Sequence, residues 1–399
     1  MNTLKGTPFH PRAVELCQSL EWQRWSGFLT AASYELHHEW EYHAIRGAAA
    51  LIDISPLRKY RIQGPDAVPF LNRVVTRDVQ GCAVGRVLYT PWCDEDGKLI
   101  DDGTLQRLGQ DDFRLTSADH NLNWLLDNAF GMAVQVRDES DQLAALAVQG
   151  PASRAALAHV MDDPERLNAL PFFALDHFRL AGCPVTVTRT GFTGDLGYEI
   201  WLEPTDALKA WDALIEAGSS YQLTPAGMHA LGLVRIEAGL ILINVDYISA
   251  HHALSDAQKS SPYELGLGWT VALDKANFNG RRALLAESLV PPAWRFVGLE
   301  IDWPALEALY GRAGLTPQVS PIARRESLPL YIQRRQVGYA TSSCYSPILK
   351  KYIAMGTVEA NYGRLGTVLQ IEATVEHIRQ QVPCRVVRLP FFNPARKRS

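Results

Sequence analysis

The stretch RTGFTGDLGYEI, Arg189 to Ile200, decides how the surrounding chain folds. Glycines and threonines interrupt what would otherwise be two strands. PVTVTRT before the turn and GYEIWLE after it alternate as half-buried strands do. Working outward, LAALAVQGPASRAALAHVM (143–161) reads as strand, Gly-Pro corner and helix. PTDALKAWDALIEAG (204–218) reads as a helix with Thr205 or Asp206 as N-cap and Gly218 just past its end. Its Leu208, Trp211, Leu214 and Ile215 share one face. Residues 143–218 therefore predict strand, helix, strand, strand, strand, helix. That order fits a ferredoxin-like α+β layer and not a doubly wound parallel sheet. Glu199 raises a chemical question, because it sits in an apolar strand on the same face as Trp201. A carboxylate beside an indole suits a flat heterocycle with paired N–H donors. The bland alternative is a rim glutamate paired with a surface lysine or arginine.

Elsewhere the first 286 residues also mix helices and strands. GPDAVPFLNRVVT (64–76) puts Ala67, Phe70, Leu71, Val74 and Val75 on one helical face, with a start near residue 66 that tolerates Pro69. ESLVPPAW (287–294) is the clearest linker, since its prolines cannot continue the helix predicted over NGRRALLAE. From 295 to 399 come short strand-like runs, RFVGLEI, RRQVGYATS, YIAMGTVEA, GTVLQIEATV and PCRVVRLPF, as in a small β-barrel or sandwich.

Composition removes several classes. The net charge of −4 comes without long runs of one sign, so a nucleic-acid partner is disfavoured. LGLVRIEAGLILINV contains Arg235 and Glu237 and is too short and charged to span a bilayer. The start, MNTLKGTPFHPR, has no signal-peptide stretch, and the scattered cysteines give neither a CxxC nor a disulfide framework. A cytoplasmic location is expected.

Common motifs fail on spacing. GFTGDLG lacks the lysine of a phosphate loop, and GLGWTV (266–271) lacks the third glycine of a dinucleotide fingerprint. In HHEWEYH (37–43), His38 and His43 are five apart and point to different helical faces, so no metal site is expected. CDEDGKLIDDGTLQRL (93–108) is more informative. Asp96-Gly97 signals a hairpin turn, and Asp101 and Asp102 follow it in a strand. Only one can face a given pocket. Alternation alone does not choose between them. Whichever is buried has a raised pKa and is able to hold or relay a proton; otherwise both acids cap the strand end in water.

Together these segments resemble the aminomethyltransferase family, to which the glycine cleavage T protein belongs. RTGFTGDLGYEI is similar to the family signature RTGYTGEDGFEI. LIDISPLRKYRIQGPDAVPFLN, GRVLYTPWCDEDGKLIDDG, LAVQGPAS, PAGMHALGLVRIEAG, SPYELGLGWTV and ATSSCYSPILKKYIAMG fit in the same order. The resemblance spans about residues 25 to 393. It implies a folate-binding α+β fold around a central channel plus a C-terminal β-barrel, with tetrahydrofolate as the cofactor. It implies Asp102 as the catalytic aspartate, Glu199 as the clasp on the pterin edge, and Tyr89, Phe192, Arg235 and Arg398 as further folate contacts. Phe192 stands where the signature carries tyrosine. Under this reading the glycine turn lets backbone lie close beside the pterin.

Departures from the family pattern bear on the substrate. Leu231 replaces a folate-contacting arginine, and Pro56 replaces a histidine. The segment INVDYISAHHALSDAQKSSP is longer than its counterpart in the T protein. Trp201, Asp246, Tyr247 and His251 are candidate substrate contacts, with aromatic faces suited to a sulfonium or ammonium donor. The leading expectation is an enzyme moving a methyl group from a small S-, N- or O-methylated compound to tetrahydrofolate. The alternatives are a T protein served by a lipoyl carrier protein, a non-catalytic folate-binding regulator, and a generic small-molecule binder.

Overall fold

A computed structural model describes residues 4–399. The glycine-turn strand Gly197–Leu202 lies inside a six-stranded sheet. Across that sheet the order is Leu175–Leu180, Cys183–Thr188, Gly197–Leu202, Ala144–Gln149, Ala49–Asp53 and Leu223–Pro225. All neighbours are antiparallel except the last pair. The expected order over 143–218 is present with one addition, a second short helix at Pro164–Ala169. The helix Ala207–Gly218 includes its glycine, where a Cβ would lie 2.5 Å from that of Leu223.

Strand alternation gives this sheet two apolar faces. Tyr198, Ile200 and Leu202 join Leu146, Val148, Trp211 and Leu214 in an outer core. Trp201 joins Ala145, Ala147, Ala50 and Ile52 in a central core. Two inner helices, Glu39–Gly47 and Met228–Glu237, cover the central face through Tyr42, Ile45, Leu231, Val234 and Ile236.

A second sheet has the order Val87–Cys93, Leu99–Gly109, Asp112–Ser117, Arg58–Gln63 and Gln135–Asp138. The helix Ala67–Val74 packs Phe70, Leu71 and Val74 on it beside Trp92, Leu105 and Phe113. Six strands between Trp294 and Val387 close a barrel. The sequence reading lacked one of them, Leu328–Ile332, and the helix Trp303–Gly311. Phe296, Cys344, Ile353 and Met355 of the barrel reach the central core, where both sheets and the inner helices also meet.

The glycine turn serves this packing. A Cβ at Gly191 or Gly197 would fall 2.1 or 2.3 Å from the Gln149 amide, and one at Gly194 (φ +72°) 2.4 Å from the Ala238 Cβ. Gln149 is buried and pinned. Its Nε2 donates to Thr190 O (3.2 Å) and Tyr198 O (3.3 Å), and its Oε1 accepts from Thr193 Oγ1 (2.8 Å). The space in front of these glycines therefore holds the chain's own side chains. The reading of the turn as a cradle for a ring is corrected accordingly. Gly197→Ala is expected to lower the free energy of unfolding by about 1–3 kcal/mol through overpacking on Gln149. Urea denaturation measures this, and an unchanged midpoint would show that Gln149 can move aside.

Candidate functional site

Asp102 lies on the strand Leu99–Gly109, where a register shift opposite Trp92 and Cys93 breaks the alternation. Leu99 joins the central core and Ile100 the core of the second sheet. Alternation puts the two acids on opposite faces, and this local irregularity decides that Asp102 is the one on the Tyr247 side. The Asp101 carboxylate is buried and accepts from Asn121 Nδ2 (2.9 Å), Asp119 N (3.0 Å) and Asp102 N (2.8 Å). Asp102 instead meets two phenols. Tyr89 Oη donates to Oδ2 at 2.9 Å and Tyr247 Oη to Oδ1 at 2.5 Å. Tyr247 is buried in the central core and comes from the segment after the helix Met228–Glu237.

Burial raises the Asp102 pKa, and the two tyrosine hydroxyls act against that rise. Burial first, then the Asp102 charge, keep both tyrosines protonated well above the ordinary phenol range. Burial, with the Asp102 charge second, pushes Asp101 up to about 8.

Glu199 is also buried, and burial raises its pKa. Its Oε2 accepts from Thr190 Oγ1 (2.7 Å) and Thr188 Oγ1 (3.3 Å). Among the described residues, no side chain or backbone group donates to Oε1. No lysine or arginine pairs with Glu199 among the described residues, so the rim reading does not fit. Trp201, two residues on, is buried and spends its indole N–H on Thr188 Oγ1 (3.2 Å). The Arg114 guanidinium lies 5.8 Å from its ring centroid, which joins the second sheet to the first. The sheets that carry the two acids thus meet at one cation–π contact.

The other candidates are placed differently. Phe192 is half-buried against the central core. Arg235 is buried and pairs through Nη1 with Asp246, while its Nε and Nη2 have no acceptor. Asp246 is saturated. Its Oδ1 accepts from Thr341 Oγ1 (2.5 Å) and Ser342 Oγ, and its Oδ2 from Leu242 N (2.9 Å) and Arg235. It ties the segment after the helix Met228–Glu237 to the barrel and has no capacity left for a substrate. His251 is exposed, edge-on to Trp124 at 6.3 Å. Arg398 is exposed over Phe172 at 6.0 Å. A short turn, Ala395–Lys397, directs Arg396 inward instead, to a bidentate pair with Asp195 of the glycine turn (2.7 and 2.8 Å).

Trp269 was given no role in the sequence reading. It lies in the GLGWTV segment, which was tested as a nucleotide fingerprint and matched to the family, and it stacks on Tyr89 at 6.1 Å with a 26° interplanar angle. Arg114 had no signal beyond its place in an alternating strand. An open recess of about 540 Å³ is lined by Arg154, His159, Leu196 and Tyr221 among others, and none of the candidate site residues lines it.

The chemistry of the donor set fits a reduced pterin. Glu199, a buried residue, offers an oxygen with no donor among the described residues, Arg235 has two orphaned donors, and Phe192 and Tyr89 supply ring faces. Residues 12–275 match the family described as the GCVT N-terminal domain, and residues 311–393 the glycine cleavage T-protein C-terminal barrel domain. The chain belongs to the glycine cleavage T-protein family. It is 34% identical over 394 residues to an aminomethyltransferase of Halothermothrix orenii, covering 98% of this chain and all of that one. It is also 34% identical over 411 residues to a trimethylamine-oxide aldolase of Ruegeria pomeroyi, covering 99% of this chain but spanning only 48% of that relative's length. The solved glycine cleavage system aminomethyltransferase T from Bartonella henselae superposes with a TM-score of 0.82 at 26% identity, over 98% of this chain and 99% of that one. The relatives named aminomethyltransferase are folate-dependent transferase enzymes. Among the described residues, no helix is long and apolar enough to cross a membrane.

Asp101 sets a pH dependence. In the unfolded chain its carboxyl titrates near ~3.9, so the folded chain holds a proton that the unfolded chain releases. The stability this contributes is full below about 4 and is lost as pH rises toward about 8. Between pH 5 and 8 the unfolding free energy of Asp101→Asn is therefore expected to fall less steeply than that of the parent. Equal slopes in urea titrations would contradict the assignment.

Proposed function

We propose that this chain is a tetrahydrofolate-dependent one-carbon transferase whose donor is a small methylated compound. The observation that carries the reading is the bracing of buried Asp102 by Tyr89 and Tyr247. A buried carboxylate fixed by two hydroxyls is a proton-handling group held in one orientation. Bound tetrahydrofolate would supply a secondary ring amine as the nucleophile.

The protein's share is alignment and management of one proton. Glu199 would hold the pterin edge through its free Oε1, with Phe192 and Tyr89 against the ring system. Arg235 would give its orphaned Nε and Nη2 to ligand acceptors, which would offset the cost of leaving buried donors unpaired. Asp102 would take the proton released as the carbon transfers, or stabilise positive charge developing beside it. Tyr89 and Tyr247 hold its two oxygens and keep water from them.

The choice of donor rests on departures from the T-protein pattern. Leu231 is buried in the central core where the family arginine would stand, and the lengthened segment contributes Tyr247 directly to Asp102. The Ruegeria relative is named for a small methylated amine compound. The alternative is aminomethyl transfer from a lipoyl arm on a partner protein. It is favoured by end-to-end matching with a protein named aminomethyltransferase. A non-catalytic folate-binding regulator would have no use for a braced, buried Asp102. A cytoplasmic setting remains part of the proposal.

A one-carbon acceptor assay separates these readings. With tetrahydrofolate and a panel of methylated amines, sulfoniums and methoxy-aromatics, 5-methyltetrahydrofolate is expected. Methylene-tetrahydrofolate formed only with a lipoyl carrier would establish the alternative. Asp102→Asn is expected to leave folate binding within a few-fold and lower turnover by about 100-fold or more. Unchanged turnover removes Asp102 from the chemistry. Glu199→Gln is expected to weaken folate binding by about 1.5–3 kcal/mol in a calorimetric titration. Full affinity would place Glu199 outside the binding site.

A further inference from the structure

Arg396 takes no part in the chemistry assigned above, yet hydrogen bonds lead from it to Glu199 without a missing step. Its guanidinium holds the Asp195 carboxylate by two bonds, Nε to Oδ1 (2.7 Å) and Nη2 to Oδ2 (2.8 Å). Asp195 N donates to Thr193 Oγ1 (3.3 Å), and Thr193 Oγ1 donates to Gln149 Oε1 (2.8 Å). Gln149 Nε2 donates to Thr190 O (3.2 Å), and Thr190 Oγ1 donates to Glu199 Oε2 (2.7 Å). Thr188 Oγ1 reaches the same Glu199 oxygen at 3.3 Å and lies 2.7 Å from Thr190 Oγ1. Asp195, Thr193, Gln149, Thr190 and Glu199 are all buried, while 38% of the Arg396 side chain is exposed. A buried network whose members are paired holds one arrangement.

The outer end of this series is presented in a fixed place. Phe392 donates its backbone N–H to Glu237 O (2.8 Å), and its ring centroid lies 4.4 Å from the Arg46 guanidinium and 5.9 Å from that of Arg396. Arg46 cannot replace Arg396. It spends Nε and Nη2 on Glu237 and lies 3.6 Å from Asp195 Oδ2. Without Arg396, Asp195 would keep Leu196 N (2.8 Å) and that longer contact. A buried carboxylate so short of partners shifts to find others, and its own backbone is the glycine turn.

We propose that Arg396 is a positioning residue for Glu199. Through Asp195 and the glycine turn, the segment after the barrel sets which Glu199 oxygen the threonines occupy and which stays open to a ligand. The inference rests on the reading of Glu199 as the group that holds the pterin edge.

The test is a double-mutant cycle in tetrahydrofolate binding, by calorimetric titration of the full chain, Arg396→Ala, Glu199→Gln and the double variant. Arg396→Ala is expected to weaken binding about 5-fold. In the Glu199→Gln background the same change is expected to have no further effect, because its target is already lost. Arg396→Lys keeps the charge beside Asp195 but not the two-bond fork, and its affinity is expected between those of the parent and Arg396→Ala. Arg396→Lys also carries the cycle should the alanine variant fail to fold, which its urea midpoint reports. Equal losses in both backgrounds would mean that Arg396 touches the ligand directly, and the positioning role would be overturned. Unchanged affinity in Arg396→Ala would overturn it too, and in both cases the cofactor reading stands. If the parent binds no tetrahydrofolate, both fall.

Discussion

The buried pair of Arg46 and Glu237 is the constraint on which the rest of the molecule depends. Arg46 donates to Glu237 Oε2 through Nε (2.8 Å) and Nη2 (2.6 Å), and both side chains are almost wholly shielded. Arg46 also donates to Thr193 O (2.9 Å) in the glycine turn and to Val234 O (3.1 Å). Glu237 Oε1 accepts from Tyr42 Oη (2.6 Å) and from Ser346 Oγ of the barrel (2.5 Å). Phe392 lies 4.4 Å from the Arg46 guanidinium and donates its backbone N–H to Glu237 O at 2.8 Å. Two inner helices, the glycine turn, the barrel and the C-terminal tail converge on one ion pair. Burying both charges is costly, but every strong donor and acceptor has a partner. Losing either member would strand the other and cost about 3–5 kcal/mol.

That tie places the central core between two sheets, and each sheet brings one buried acid toward it. The acids differ in how they are held. Threonines occupy one oxygen of Glu199 and leave the other without a donor among the described residues. Tyrosines occupy both oxygens of Asp102 and fix its orientation. A second tie, Arg235 with Asp246, Thr341 and Ser342, joins the segment carrying Tyr247 to the barrel and so fixes that residue. Leu231 lies in the central core, and Tyr247 reaches Asp102 from the segment that follows the helix Met228–Glu237.

The fold was legible where local pattern and packing agree. The element order over 143–218, the helix after Gly64 and the helix before the linker followed from periodicity and punctuation. The barrel strand Leu328–Ile332 did not, because Pro329 and its short length hide it in a polar stretch. Within the site, alternation put Asp101 and Asp102 on opposite faces without saying which faced the pocket, and a bulge that no residue type announces made that choice. Asp246 and Trp201 carry the right chemistry for a pocket, but their hydrogen bonds are spent inside the protein. Arg396 and Arg398 are two residues apart, and only the turn geometry of the tail decides which points inward. Such choices depend on long-range partners such as Asp195 and Thr341, which spacing along the chain does not encode.

The most direct measurement is a crystal structure of this chain with tetrahydrofolate bound. The account predicts the pterin edge against Glu199 Oε1, with a reduced ring nitrogen in hydrogen-bond reach of Asp102. A folate lodged in the outer recess by Arg154 and His159, with neither acid in contact, would contradict it.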